Sequence, residues 1–157
     1  MNESAEVIDK LSKMIEIHQE KREEYEELLN EQELTLYRII ERNKDVYKWI
    51  VSQKKAYPFK HPDYDNFYYK DGPVLGHIEF DYLDAMIVYD VTKEDILFVP
   101  IDSDEEPKAS TVNFIVKNKY FQSAVKGLNY IEEMFEDYIK VMDERVNKLT
   151  QQIENVK

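Results

Sequence analysis

Residues 7–50 read VIDKLSKMIEIHQEKREEYEELLNEQELTLYRIIERNKDVYKWI, and the spacing inside that stretch decides the fold. Counting alternately three and four residues from Ile8 gives Ile8, Leu11, Ile15, His18, Arg22, Tyr25, Leu29, Gln32, Leu36, Ile39, Asn43, Val46 and Ile50, and nine of these thirteen are apolar or aromatic. A spacing of about 3.5 residues, kept over some six heptads, holds one seam toward a neighbouring helix. Residues 1–55 are therefore expected to form one long N-terminal helix, roughly 80 Å from end to end.

Polar residues at His18, Arg22, Gln32 and Asn43 interrupt the seam, as residues that fix register or partner number do at some cost in stability. A single histidine supplies one metal ligand and no site, so His18 reads as a seam residue. Val7, Met14, Leu28, Ile40, Tyr47 and Trp49 lie beside the seam. They widen the apolar stripe beyond what one partner helix covers, which points to a bundle. Asn30 with Glu33 could cap a fresh helix, but the heptad phase runs through from Leu29 to Leu36, and a continuous helix is expected.

The pattern returns from about Phe121. Leu128, Ile131, Phe135, Tyr138, Met142, Leu149 and Val156 share one seam, with Ile139, Val146 and Ile153 beside it. The unit 120–157 is expected to be a second helix of about 35 residues, roughly 52 Å long, running back antiparallel along the first. It would leave about the first seventeen residues uncovered. Ile8, Leu11, Ile15 and His18 are then the candidate interface with a second copy, since an exposed apolar stripe marks an association site.

All five prolines lie between Pro58 and Pro107, inside the unit 56–119, which holds 13 acidic and 6 basic residues. Val74–Phe80, Ala85–Val91, Ile96–Ile101 and Thr111–Lys117 are rich in branched and aromatic residues and separated by polar turns, so an antiparallel sheet of three to four strands is expected. Alternation puts Ile87, Tyr89 and Val91 on one face and Met86, Val88 and Asp90 on the other. The fold class is α+β: two long antiparallel heptad-patterned helices bracketing this small sheet.

Two segments of the middle unit are candidate partner-binding surfaces. Six aromatics and two prolines fall within Tyr57–Tyr69, where Tyr57, Phe59, Tyr64, Phe67, Tyr68 and Tyr69 either anchor a partner or staple the loop to its own core. Asp102, Asp104, Glu105 and Glu106 form an acidic turn that lacks the glycine and distal glutamate of a calcium loop.

A formal net charge of -12 disfavours direct contact with nucleic-acid phosphates or anionic membranes. The absence of cysteine removes disulfides and thiolate chemistry. Neither a signal peptide nor a membrane-length apolar run is evident, so a cytoplasmic location is expected. No phosphate-cradling, zinc-hydrolase or nucleophile-elbow motif occurs. His61-Pro-Asp63-Tyr-Asp65 offers one imidazole and two carboxylates without a diagnostic spacing. Lys54, Lys55, Lys60 and Lys70 make a small basic island near the aromatics, which suits charge balance better than phosphate binding.

The expectation is a non-enzymatic oligomeric protein-binding module without a cofactor. A phage or mobile-element inhibitor of a host or defence protein is the biological class that suits such a chain. The alternatives are an acidic nucleic-acid mimic using Asp81, Asp84, Asp90, Asp95 and the 102–106 turn, a structural or scaffolding assembly factor, and a small-ligand or nucleotide-sequestering protein.

Overall fold

The computed structural model describes residues 2–53, 57–80 and 83–157. Among these, the long N-terminal helix α1 spans Glu3–Val51 without a break, opened by Asn2, whose side chain accepts the Ser4 N–H at 3.0 Å. The chain then forms a hairpin, β1 (Phe59–His61) with β2 (Tyr64–Tyr69). An antiparallel meander follows: β3 (Val74–Phe80), β4 (Leu83–Asp90), β5 (Asp95–Pro100) and the short β6 (Lys108–Ala109), hydrogen-bonded in that order. Three helices complete it, α2 (Val112–Lys117), α3 (Phe121–Asn129) and α4 (Glu132–Glu154).

The sheet separates two apolar clusters, as the alternation along β4 requires. Ile87, Tyr89 and Val91 join Leu36, Ile40, Tyr47 and Ile50 of α1, Ile115 of α2, Leu128 of α3 and Met134 of α4 in the main core. Met86 and Val88 face the other way and meet Val74 and Leu97, with Phe67 and Tyr69 of β2 laid over them. The hairpin thus covers part of the face that the helices leave bare.

Two sequence expectations change. Thr111–Lys117, expected as a strand from its branched residues, is the helix α2. The Thr111 hydroxyl accepts the Phe114 N–H at 3.0 Å, and Val112, Ile115 and Val116 are the residues it buries. A side-chain cap and an i, i+3, i+4 apolar face outweigh intrinsic β-propensity where tertiary burial decides.

The expected C-terminal helix of about 35 residues is interrupted at Tyr130 (φ −80, ψ 80), which divides it into α3 and α4. Only the start of α4 packs on the body. Met134 is in the core, Phe135 and Tyr138 lie against it, and everything from Met142 onward is exposed. On α1 every described residue before Leu29 is exposed as well. A cis hairpin would cover residues 18–28 and the face of α4; among the described residues neither is covered.

The drift of a real helix against a strict heptad explains which seam residues pack. At 3.6 residues per turn the contact line slips by about 20° per heptad. The expected seam residue Val46 is accordingly exposed, while Tyr47, one position on, is fully buried.

Candidate functional site

The aromatic segment resolves into residues with different duties. Phe59 is 1 % exposed and meets Tyr47 edge-on with ring centroids 6.0 Å apart, so it belongs to the core. Tyr69 donates its hydroxyl to the buried Asp90 carboxylate at 2.6 Å, and that carboxylate also accepts the Lys93 N–H at 2.9 Å. Burial, followed by the Asp90 hydrogen bond, pushes the Tyr69 phenol well above its ordinary range. Tyr57, 39 % exposed, leans on Phe135 and Tyr138 at the root of α4. Tyr68, 49 % exposed, is the freest of the six.

Tyr64 and Phe67 stack at 5.1 Å and meet His61 and His77 to form a half-buried cluster of four rings. His77 Nε2 lies 2.5 Å from Asp84 Oδ1. His61 is wired on both sides. Its Nδ1 accepts the Asp63 N–H at 3.0 Å, so the ring proton is on Nε2, which faces the Ser123 carbonyl at 2.8 Å. Ser123 in turn donates its hydroxyl to the Leu75 carbonyl at 2.7 Å. A histidine whose Nε2 donates cannot take a proton from the serine beside it, so this pair is not arranged as a nucleophile and base. Burial lowers the His61 pKa below the usual imidazole value, with the hydrogen bond to Ser123 opposing it.

Around this core the sequence-named acids separate. Asp84 is held by His77, Asp90 is buried, and Asp95 accepts the Ile96 N–H at 2.9 Å. Asp102, Asp104, Glu105 and Glu106 are exposed, with Ser103 accepting the Glu105 N–H at 3.0 Å. Asp81 lies outside the described residues, as do Lys54 and Lys55. Lys60 pairs with Asp137 of α4 at 2.6 Å and sits 4.2 Å above the Tyr138 ring, so it fastens α4 to the hairpin. Asp63 pairs with Lys126 of α3 at 3.1 Å. Among the described residues no three His, Asp or Glu side chains converge as a metal site would need.

Tertiary structure brings two of the named segments together. Phe67 and Tyr69 pack on the second apolar cluster with Val99 and Ile101, and Ile101 leads directly into the acidic turn. The hairpin and the turn therefore border the same face of the sheet. A cleft of ≈ 310 Å³ on the opposite side, between α1 and β4–β5, contains Tyr37, Lys44, Tyr89 and Glu94. Its only ammonium group is taken: Lys44 meets Glu94 at 2.7 Å, which raises the lysine and lowers the carboxylate. Glu94 reaches it from a turn position with φ 55.

Most of the exposed large hydrophobic residues lie elsewhere, on the outer parts of α1 and α4. Ile8, Leu11 and Ile15 are 63, 50 and 57 % exposed, His18 is exposed beside them, and Tyr25 and Leu28 continue the stripe toward the body. On α4 the stripe is Ile139, Met142, Val146, Leu149, Ile153 and Val156, spaced alternately by three and four and all more than half exposed. Each stripe starts on the face that packs into the body, at Leu29 and at Phe135, and runs off it. The α4 stripe was legible as a seam, but only the packing separates its free part from its buried root. No helix among the described residues is long and apolar enough to cross a membrane.

No protein-family model, curated protein or solved structure matches this chain.

Proposed function

We propose that the chain is a non-enzymatic protein-binding module that works as an oligomer. Its helices associate with other copies through long heptad seams, and its sheet head engages a different protein. The observation that carries this reading is the pair of apolar stripes that leave the packed body uncovered on α1 and α4. Surfaces of that length and spacing on otherwise charged helices are association surfaces. In the head, Tyr64, Phe67, Tyr68 and the Asp102–Glu106 turn supply rigid aromatic area beside acidic residues, the composition of a protein-binding rim rather than of a reaction centre.

The acidic turn keeps nucleic-acid mimicry as a second reading. Of the other acids proposed for it, Asp84, Asp90 and Asp95 are engaged within the fold, which among the described residues leaves one exposed cluster rather than a regular array. Two measurements test the function. Sedimentation velocity across micromolar concentrations is expected to show reversible association; a monomer throughout removes the oligomer.

Affinity capture from cells that produce the chain is expected to retain one discrete protein that is lost on Tyr64→Ala with Tyr68→Ala and only weakly dependent on salt. Steep salt dependence, with loss on neutralising Asp102–Glu106, would favour mimicry. Retention of nothing but further copies would make the chain a self-assembling scaffold.

A further inference from the structure

Granting the oligomer proposed above, its interface can be specified. We infer that the free α1 stripe of one copy is covered by the free α4 stripe of a second copy, antiparallel and reciprocally, so that two chains exchange their α1–α4 pairs about a two-fold axis.

Length, charge and area all select this arrangement. The α1 stripe from Val7 to Leu28 spans about 33 Å, apolar toward both ends with His18 and Arg22 in its middle, and that from Ile139 to Val156 about 27 Å, so the two match in length. The free part of α1, residues 3–28, carries nine acidic and four basic residues. Pairing it with its own copy would set two strongly acidic helices side by side. Residues 139–157 carry four basic and three acidic residues, the less acidic partner of the two in a chain whose total is -12. When the two helices run antiparallel from their body ends, Lys140, Arg145 and Lys148 lie along the Glu20–Glu27 stretch and outnumber Asp143 and Glu144, which fall there too. Glu154 then falls toward Lys10 and Lys13. Opposite charges flanking a seam set partner choice in this way.

The area requires reciprocity. The half-exposed apolar side chains of each stripe, six of them on α4, amount to about 400 Å² of apolar surface per stripe. One α1–α4 pair would bury about 800 Å² in all, the scale of an incidental contact. Two pairs bury about 1,600 Å², the size of a standard stable interface. The exits allow it. The free part of α1 leaves the body at Leu29, beside α2 and α3, and α4, whose first residues lie beside Asn43 and Val46, leaves it past Tyr57 and Pro58. The packed half of α1, from Leu29 to Val51, is about 33 Å long, and an inverted second copy beside it would offer α4 to α1 at one end and α1 to α4 at the other.

The test uses the full chain with exposed positions altered, so the head stays folded, as its thermal unfolding checks. Leu11→Glu with Ile15→Glu breaks the α1 stripe, and Val146→Glu with Leu149→Glu breaks the α4 stripe. Wild type is expected to sediment as a dimer, each double variant at about half that mass, and an equimolar mixture of the two variants to associate more than either variant alone but more weakly than wild type, because only one of the two pairs between them is wholly wild-type. Chains carrying Ile15→Cys and Ile153→Cys, mixed and oxidised, are expected to crosslink with each other in preference to either alone.

A dimer that survives the α4 substitutions but not the α1 substitutions would overturn the exchange while leaving the oligomer intact. So would an Ile15–Ile15 crosslink that dominates the mixture. Wild type that is monomeric, with an intrachain crosslink in the Ile15→Cys, Ile153→Cys double variant, would overturn both this inference and the oligomer.

Discussion

The hydroxyl of Tyr47 closes the C-terminal end of α3. It donates to the Leu128 carbonyl at 2.6 Å, one of the carbonyls a helix end leaves without an intrahelical partner. Burial pushes this phenol far up, so it stays a donor at any ordinary pH. Tyr47→Phe keeps the ring in the core and strands that carbonyl; equilibrium denaturation is expected to show a loss of about 1–3 kcal/mol.

His61 carries a different signature. Its folded pKa lies below the 6.5 of a free imidazole, so the unfolded chain binds the proton first as the medium acidifies. Its contribution is whole above pH 6.5 and declines as pH falls toward the folded pKa. Denaturation at pH 7.5 and 5.5 is expected to show a smaller pH-dependent loss in His61→Gln than in wild type; equal losses would place the titration elsewhere. These roles were not legible in the sequence. Tyr47 appeared only as a residue beside a seam, and no spacing pairs His61 with Ser123, which is 62 positions away.

Among the elements, α1 was readable because 49 helical residues repeat one periodicity many times, and β4 because alternation assigned its two faces. α2 was not. Its Thr-Val-Asn-Phe-Ile-Val run has the propensities of a strand, and only the bonded Thr111 cap and the burial of three residues on one helical face make it a helix. Thr111→Ala is expected to cost about 1 kcal/mol in the same denaturation assay, with the sheet unaffected. The seating of α3 on β3 depends on Gly127, where an added Cβ would lie 1.9 Å from the Val74 carbonyl oxygen. Gly127→Ala is expected to cost about 3 kcal/mol by forcing α3 off the strand, or to prevent folding. The hairpin β1–β2 escaped the sequence because its prolines and mixed polarity show no period.

At the scale of the whole molecule, the body is well packed and its two ends are not. A free helix of about twenty residues has little stability of its own in water, since propensity alone barely sustains it. Residues 3–28 and 139–156 are therefore expected to exchange their amides quickly in dilute solution and to gain protection as concentration rises, while β4 and the packed half of α1 stay unchanged. Hydrogen exchange at two concentrations checks this; equal slow exchange in both would mean that the stripes are covered within one chain.

The sequence by itself determined the long N-terminal helix, the apolar line on each end and the two faces of β4, because a period near 3.5 or of 2 is written directly into the order of side chains. Tertiary structure alone decided where the body stops covering those lines. It divided the C-terminal helix at Tyr130, left α4 unpacked from Met142 onward, and drew Phe59, Tyr69 and Asp90 inward while leaving Tyr68 out. The physical reason is that periodicity encodes which face of a helix must be buried, and the same face is satisfied by the chain's own helix or by another copy's.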